Sequence, residues 1–259
     1  MSGLASRADR ARGLCLPLGG LLVAEAAARI SGLDSTTLAA PSAIAGAGAR
    51  AALDGSLFAA TAQTLGAAFA GLVIGVVLGL AAGIAFGLVR PLDRLMEVTV
   101  ELIRPVPPVA IIPILIIVSG LGFRTEVTTV AFACIWPALI LSRSAVRGVE
   151  PRLIEVSRAL RLSPLARIGK IIMPSILPNI VVAVRLSVGF ALIVAITVEM
   201  TANPVGLGYA MIEAQQALDP ALMLAVLLWI GGIGWALNAL LLLLAARVMG
   251  AAARQAPSP

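Results

Sequence analysis

Two long uncharged stretches constrain the fold of this chain more than any other feature. They run from Leu65 to Val89 and from Pro220 to Ala246. Each exceeds the roughly 20 residues that an α-helix needs to cross the hydrocarbon layer of a bilayer. Only 12% of the 259 residues are charged, against about 25% in an ordinary soluble domain. The sequence therefore predicts a membrane protein built from α-helices.

Three shorter uncharged stretches, at Pro105–Phe123, Val127–Ser142 and Leu186–Val198, also predict spans. They reach spanning length because a charge near a helix end can extend to the interface. A sixth candidate at 13–30 reads either as a retained span or as a cleaved signal peptide. We expect a retained span, because the 30 residues after it are too few and too bland for an exported domain.

The predicted fold class is thus an all-α membrane protein with about six transmembrane helices. Tails at 1–12 and 251–259 flank a single transmembrane domain at 13–250. The predicted spans are 13–30, 61–89, 97–120, 126–146, 176–200 and 220–247, with a cytoplasmic loop at 147–174 between the fourth and fifth.

The distribution of positive charge predicts the orientation of these spans. Cytoplasmic loops of membrane proteins are enriched in Lys and Arg. With the N-terminus inside, 14 of the 19 cations fall on cytoplasmic segments, and seven of them lie between Arg143 and Lys170. Both termini are therefore predicted to be cytoplasmic. A net charge of +6 can also indicate a nucleic-acid-binding protein. Here the orientation of the spans explains the positive charge, so we expect no nucleic-acid partner.

Several function classes lack their sequence signature. Cys15 and Cys134 both fall in hydrophobic segments, and the chain has no histidine, so neither a disulfide framework nor a zinc site is expected. The phosphate loop GxxxxGK[ST] is absent, so we expect no ATP bound by that mechanism. We expect no catalytic residue, metal or cofactor on this chain.

The second predicted span carries a glycine at every fourth position. This spacing aligns them along one face of a helix, and small residues let helices approach closely within lipid. The face could contact a helix of the same chain or of a partner subunit, and we favour the same chain, which offers more helices. The glycines are Gly71, Gly75, Gly79, Gly83 and Gly87.

A proline-rich segment interrupts the third predicted span. Proline lacks a backbone donor, so a regular helix cannot continue through the segment undisturbed. One interpretation is a break that lines a translocation path, since irregular backbone at membrane depth needs protein or water beside it. The other is a kinked helix start, with Glu101 paired to Arg104. The candidate path residues are Arg104, Pro105, Pro107 and Pro108.

Two charges bracket the fifth predicted span. Arg185 and Glu199 lie about 21 Å apart along one helix, so they cannot pair with each other. Charges within spans usually face the interior of the bundle or a water-filled cavity, which makes both candidates for the path or a gate. Alternatively, each side chain extends to its nearer membrane surface.

The loop at 147–174 predicts two short helices joined near Arg161 and Leu162. Apolar residues recur at helical spacing from Leu153 to Leu160. Ser163 followed by Pro164 is typical of a helix N-terminus. A cationic amphipathic pair of this kind could simply lie among lipid headgroups.

The spacing within the loop resembles that of permease subunits of ABC importers. Their cytoplasmic loop has the pattern Glu-Ala-Ala, three residues, Gly, nine residues, then Ile-x-Leu-Pro. This chain has Glu155-Val156-Ser157, then Arg161 in the place of the glycine, and Ile171-Ile172-Met173-Pro174 at the far end. The resemblance implies that this loop docks on the ATPase. The coupling residues would be Glu155, Val156, Ser157, Arg158, Ala159, Leu160, Arg161, Leu162, Ile171 and Pro174.

Arg161 departs from the pattern of the family. A glycine in such a turn often has a left-handed backbone, which is unfavourable for other residues. Either the turn has an ordinary conformation here, helped by Ser163-Pro164, or the contact with the ATPase differs.

Resemblance over most of the chain extends to the branch that imports nitrate, sulfonates and taurine. It rests on Arg104 to Pro108, on Leu177-Pro178 to Arg185-Leu186, and on Glu199-Met200 before Gly206-Leu207-Gly208-Tyr209. It implies a homodimer in the bacterial inner membrane, two ATPase subunits that hold ATP and Mg, and an external solute-binding protein. Glu199 would lie near the external gate, and an acidic residue suits an anionic solute poorly.

Two other function classes are weaker alternatives. An ion-coupled secondary transporter typically has internal repeats and a polar site at the bilayer midplane, and neither is evident. A membrane-embedded enzyme would need a motif such as GxSxG or a His/Glu metal site, and we find none.

Overall fold

A computed structural model describes residues 19–20, 22–30 and 39–254. The predicted tail at 1–12, most of the tail at 251–259, Cys15 and part of the candidate span at 13–30 lie outside the described residues.

All regular elements in the described ranges are helices, which confirms the all-α fold class. The apolar composition of the chain explains most of these helices, and proline and glycine residues explain many of their ends. The helices are α1 (described at 19–20 and 22–30), α2 (Pro41–Leu53), α3 (Ser56–Leu88), α4 (Arg90–Ile103), α5 (Ile112–Ser119, after a 3-10 turn at Pro108–Ile111), α6 (Phe123–Arg147), α7 (Pro151–Ala159), α8 (Pro164–Arg167), α9 (Met173–Glu199, after a π turn at Ile168–Ile172), α10 (Leu207–Gln216) and α11 (Pro220–Arg254).

Within the described residues, four helical stretches are long and apolar enough to cross a membrane. Three of them lie close to the predicted spans at 61–89, 126–146 and 220–247. The fourth begins at Pro164 rather than at residue 176, because α8, the π turn and α9 form one continuous helix. The four stretches are Ser56–Leu88, Phe123–Arg147, Pro164–Glu199 and Pro220–Arg247.

The predicted third span at 97–120 is not one helix. Helix α4 and the segment Pro108–Ser119 meet at an angle of 86°. The prolines remove backbone donors, and Pro107 holds an extended conformation with ψ at 130°. Glu101 and Arg104 form no ion pair in the described part of the chain, so the pairing that accompanied the alternative of a kinked helix start is wrong.

The glycine stripe of α3 packs directly on α6. A Cβ added at any of the five glycines would come closer than 3.0 Å to atoms of α6. At Gly75, for example, it would lie 2.7 Å from the Cβ of Cys134. Helix α9 packs on this pair through small residues such as Ala191 and Ala195. The core of the bundle therefore consists of three closely packed helices, and the stripe lies within its own chain.

Two smaller clusters cover the ends of this core. At one end, Ala51, Leu57, Leu207 and Val226 join α2, α3, α10 and α11. At the other, which we call the loop end because α7 lies there, residues of α6, the π turn and α9 form a cluster with Ile154 of α7 packed against it. This contact seats α7 on the bundle.

Candidate functional site

Helix α7 ends in a tight, fully bonded turn. The Leu162 amide donates to the Ser157 carbonyl at 3.0 Å, and the Arg161 amide donates to the Arg158 carbonyl at 2.9 Å. These two bonds define a Schellman motif, in which the residue after the C-cap has a left-handed backbone. That residue is Arg161, with φ at +50°.

The conformation of Arg161 rules out the first of the two alternatives for the turn. The expectation of an ordinary backbone conformation at Arg161 is wrong. This arginine has the left-handed conformation that a glycine in such a turn often takes. A non-glycine residue there costs about 1–2 kcal/mol. Arg161 therefore occupies a backbone conformation that glycine adopts without steric cost.

The helix after the turn begins as the sequence predicts. The Ser163 hydroxyl accepts a hydrogen bond from the Ala166 amide at 3.3 Å, and Pro164 follows in the first turn. The helix then continues through the π turn, where the Met173 amide donates to the Ile168 carbonyl, five residues back. Pro174 has no amide to donate, which explains a local change of register. The predicted second short helix is therefore the start of a helix that runs from Pro164 to Glu199.

Helix α7 has a seated face and an open face. On the seated face, Ser157 is fully buried and its hydroxyl donates to the Ile154 carbonyl at 2.6 Å. On the open face, Val156 and Leu160 are 51% and 65% exposed, and Glu155 is exposed beside them. An apolar surface with an adjacent carboxylate is thus presented away from the bundle.

A cavity of about 810 Å³ lies beside α7 at the loop end. Helices α4, α6, α7 and α8 all contribute to it, and its arginines outnumber its acidic residues. The charged lining residues are Arg90, Asp93, Arg94, Glu97, Arg147, Glu155, Arg158 and Arg167.

One wall of the cavity is an ion-pair cluster that sequence reasoning missed. Asp93 of α4 is only 2% exposed and contacts two arginines of α6, with Arg143 Nε at 2.5 Å and Arg147 on the other carboxylate oxygen. Glu97 adds a longer contact of 3.4 Å to Arg143. These contacts hold the amphipathic α4 against the end of α6. The sequence feature that could have indicated this cluster is Asp93 itself, an acidic residue in a helix that directly follows a predicted span.

At the opposite end of the bundle, Glu199 is buried against protein. It is 1% exposed, and its carboxylate accepts a hydrogen bond from the Gly208 amide at 2.8 Å. Gly206, with φ at +100°, lies so close that a Cβ there would overlap the Glu199 carboxyl group. The alternative in which Glu199 extends to the membrane surface is therefore wrong. Glu199 holds the turn between α9 and α10.

A second glutamate that sequence reasoning missed completes this buried end. Glu126 of α6 is fully buried and accepts a hydrogen bond from the Asn203 side chain at 2.5 Å. Its carboxyl group also contacts that of Glu199. Thr64 of α3 accepts from the Leu207 amide at 2.9 Å. Four helices therefore meet through polar contacts at this turn.

Arg185 has surroundings quite different from those of Glu199. It is exposed on α9 and lines a small cleft between α9 and α11. The proline-bend residues Arg104, Pro105 and Pro107 are exposed, while Pro108 is half-buried. The structure thus brings the α7 residues together with the cavity, and leaves the bend, Arg185 and Glu199 as separate sites.

The chain matches a family model described as "Binding-protein-dependent transport system inner membrane component" over residues 71–252. It is 30% identical over 215 residues to the putative aliphatic sulfonates transport permease protein SsuC of Escherichia coli, which covers 83% of this chain and 82% of that one. It is 31% identical to the Bacillus subtilis protein of that description over 47% of this chain and 44% of that one. The nitrate import permease protein NrtB of Leptolyngbya laminosa is 26% identical, over 58% of this chain and 53% of that one. The chain thus spans about half the length of these last two relatives.

Solved structures share the fold. An inward-facing structure of the MetNI methionine ABC transporter matches with a TM-score of 0.67 and 20% identity, over 77% of this chain and 97% of that one. An amino acid ABC transporter with histidines matches with a TM-score of 0.61 and 18% identity, over 77% and 95%.

Proposed function

Because the chain belongs to the family of binding-protein-dependent transport system inner membrane components, we propose that it is the membrane-spanning permease subunit of a bacterial ABC importer. In this role the chain is a transport component and not an enzyme. Two partner subunits in the cytoplasm would bind ATP and Mg and hydrolyse the nucleotide. A periplasmic or extracellular binding protein would deliver the solute.

The observation that carries the proposal is the open face of α7. Val156, Leu160 and Glu155 form an accessible surface on a helix whose other face is packed on the bundle. An exposed apolar surface of this kind favours a protein partner. We assign that partner as the ATPase, with the segment from Glu155 to Leu162 as the docking element and Ile171 and Pro174 in the connecting helix.

The continuous helix from Pro164 to Glu199 supports a mechanism for coupling. Closure of the ATPase subunits around ATP would displace α7, and the helix that follows would move as a rigid body. Its far end carries Glu199, which holds the turn between α9 and α10. We therefore assign Glu199 a positioning role near the external gate and no direct contact with solute.

The arrangement of the partners follows from the orientation of the chain. We propose that both termini and the loop end face the cytoplasm of a bacterial inner membrane, since Arg143, Arg147 and the arginines around α7 lie there. Two copies of the chain would form the translocation unit. The bend at Arg104 to Pro108 would line the path between them.

The names of the relatives support a small anionic solute. Aliphatic sulfonates and nitrate appear in two of these names, and a third relative, 28% identical, is the bicarbonate transport system permease protein CmpB of Synechocystis. All three solutes carry a negative charge on oxygen atoms. We therefore propose a compound of the nitrate, sulfonate or taurine kind.

Co-purification with the ATPase tests this function. We expect the wild-type chain to retain the ATPase in detergent, and Glu155→Lys and a deletion of Glu155 to Leu162 to lose it while still inserting in the membrane. Glu213→Lys, an equal charge reversal at an exposed position on α10, is the matched control and should retain the ATPase. Retention by all three variants would contradict the coupling role and favour an ion-coupled secondary transporter.

A further inference from the structure

Arg185 lies midway across the membrane-spanning bundle. Two residues further along α9, the Ser187 hydroxyl donates to the Cys134 carbonyl, and the Cys134 thiol donates to the Ser187 carbonyl, both at 3.4 Å. Cys134 is near the middle of α6, which spans Phe123–Arg147. The depth of this contact places Arg185 close to the middle of the span, about 15 Å from either edge of the hydrocarbon layer.

The side of α9 that carries Arg185 is not the side that packs in the core. Ala183, Ser187, Ala191 and Ala195 are buried against α3 and α6. Arg185 lies roughly opposite Ser187, because two residues rotate a helix by about 200°. In the described part of the chain it forms no ion pair and no side-chain hydrogen bond.

A cleft of about 80 Å³ separates α9 from α11 at this depth. Arg185 and Asn238 are its polar lining residues, and no acidic side chain lines it. Gly189 has open space where a side chain would be, and a Cβ at Gly234 would meet only Leu192, at 3.6 Å. The two glycines therefore leave room beside the polar groups.

The chemistry of this cleft fits an anion. A charged group in the middle of a membrane usually faces a water-filled cavity or a partner, and here no carboxylate of the described chain neutralises it. The guanidinium is a planar group with five donors that matches the oxygens of an oxyanion, and it remains charged in proteins. The Asn238 amide adds further donors.

We infer that Arg185 and Asn238 form a solute subsite that binds the charged group of a small oxyanion, such as a nitrate or a sulfonate, midway across the membrane. This inference rests on the proposed function and extends it from the delivered solute to residues of this chain. The depth excludes lipid headgroups as the source of the anion, because they lie at the membrane surface.

Charge-selective thiol labelling tests the subsite. The parent has Cys15 replaced by serine and retains Cys134, which is buried in the core. Asn238→Cys is placed in this parent, and the complex with the ATPase is labelled with anionic sulfonatoethyl or cationic trimethylammonioethyl methanethiosulfonate. Each rate is divided by the rate of the same reagent with a small thiol in solution, because a thiolate reacts faster with a cationic reagent than with an anionic one. We expect this normalised rate to be at least tenfold higher for the anionic reagent. Leu240→Cys, exposed on the far side of α11 at similar depth, is the matched control and should react little with either.

Removal of the charge completes the test. Adding Arg185→Gln to Asn238→Cys should bring the ratio of the two normalised rates close to one, whereas Arg185→Lys should keep most of the preference. The inference would be overturned if the two reagents labelled Asn238→Cys at equal normalised rates while Arg185 is present. It would also be overturned if Asn238→Cys were labelled no faster than Leu240→Cys. Loss of the permease dimer in Arg185→Gln would also overturn it, because Arg185 would then pair with a partner copy.

The same preparations separate this inference from the proposed function. If Glu155→Lys loses the ATPase but the labelling shows no charge preference, the importer function stands and the subsite is wrong. If the wild-type chain retains no ATPase, the proposed function itself fails.

Discussion

Arg161 has a backbone conformation that is unfavourable for any residue other than glycine. Its left-handed conformation is one that glycine adopts without steric cost. We therefore predict that Arg161→Gly raises the free energy of unfolding by about 1 kcal/mol and leaves ATPase binding intact. Thermal or denaturant unfolding of the purified chain measures the change. Arg158→Gly, in the helical part of α7, should instead lower stability by about 0.5–1 kcal/mol, and a loss from both substitutions would contradict the argument.

Gly206 combines a left-handed backbone with a lack of space. Its φ is +100°, and the Glu199 carboxyl group occupies the place where a Cβ would be. Gly206→Ala should lower stability by more than the roughly 1–3 kcal/mol that such a backbone costs alone, because the side chain also displaces Glu199. Gly120→Ala is the matched control, since Gly120 has φ at +80°, ψ at 178° and open space around it. Equal effects in thermal unfolding would show that the Glu199 contact adds nothing.

Sequence reasoning identified some of these residues but not their partners. Glu199 stood out because it is charged beside an apolar stretch, and Ser163-Pro164 because capping is local. Glu126 and Asp93 could not be assigned, because their partners come from distant parts of the chain. Asn203, for example, is 77 residues from Glu126 along the chain. Local signals predict local structure, whereas buried polar pairs depend on how helices pack.

At the scale of helices, the ion pairs of Asp93 fix the position of α4. Asp93 is almost fully buried between Arg143 and Arg147, so Asp93→Asn would remove the carboxylate that both arginines share and leave Arg143 only its longer contact with Glu97. We predict a loss of about 1–3 kcal/mol, because Arg143 loses its buried partner, whereas Arg147 is 47% exposed and stays solvated. Glu97→Gln is the control, because Glu97 is 48% exposed and 3.4 Å from Arg143, and it should cost less than about 1 kcal/mol. Unfolding in detergent compares the two, and similar losses would contradict the role of Asp93.

The helices themselves were largely predictable, and the exceptions have physical causes. Uninterrupted apolar stretches predicted α3 and α11 because length and hydrophobicity suffice. The four-residue glycine spacing indicated a packing face, although the sequence alone could not identify α6 as its partner. The third span failed as a straight helix because Pro105, Pro107 and Pro108 redirect the chain by 86°, and proline content predicts a break without predicting its angle.

At the scale of the whole molecule, one continuous helix connects the two ends of the protein. From Pro164 to Glu199 it has 36 residues, or about 54 Å at 1.5 Å per residue. It begins beside the turn of α7 and ends at the contacts with Gly208 and Glu126. If ATP-driven movement passes along this helix, coupling requires the helix to be stiff. Docking of the ATPase on α7 does not require this stiffness, so docking and coupling are separate properties.

An insertion of four glycines after Lys170 would separate these two properties. We predict that the variant still binds the ATPase, because α7 and its turn are unchanged, but loses the stimulation of ATP hydrolysis by the binding protein. The flexible segment would absorb the movement, since glycine has the largest backbone freedom. The same insertion between Asp54 and Gly55, in the turn that joins α2 to α3, should retain most of the stimulation. Normal stimulation in the Lys170 variant would show that coupling reaches the far end through other helices, such as α6 with its ion pairs to α4.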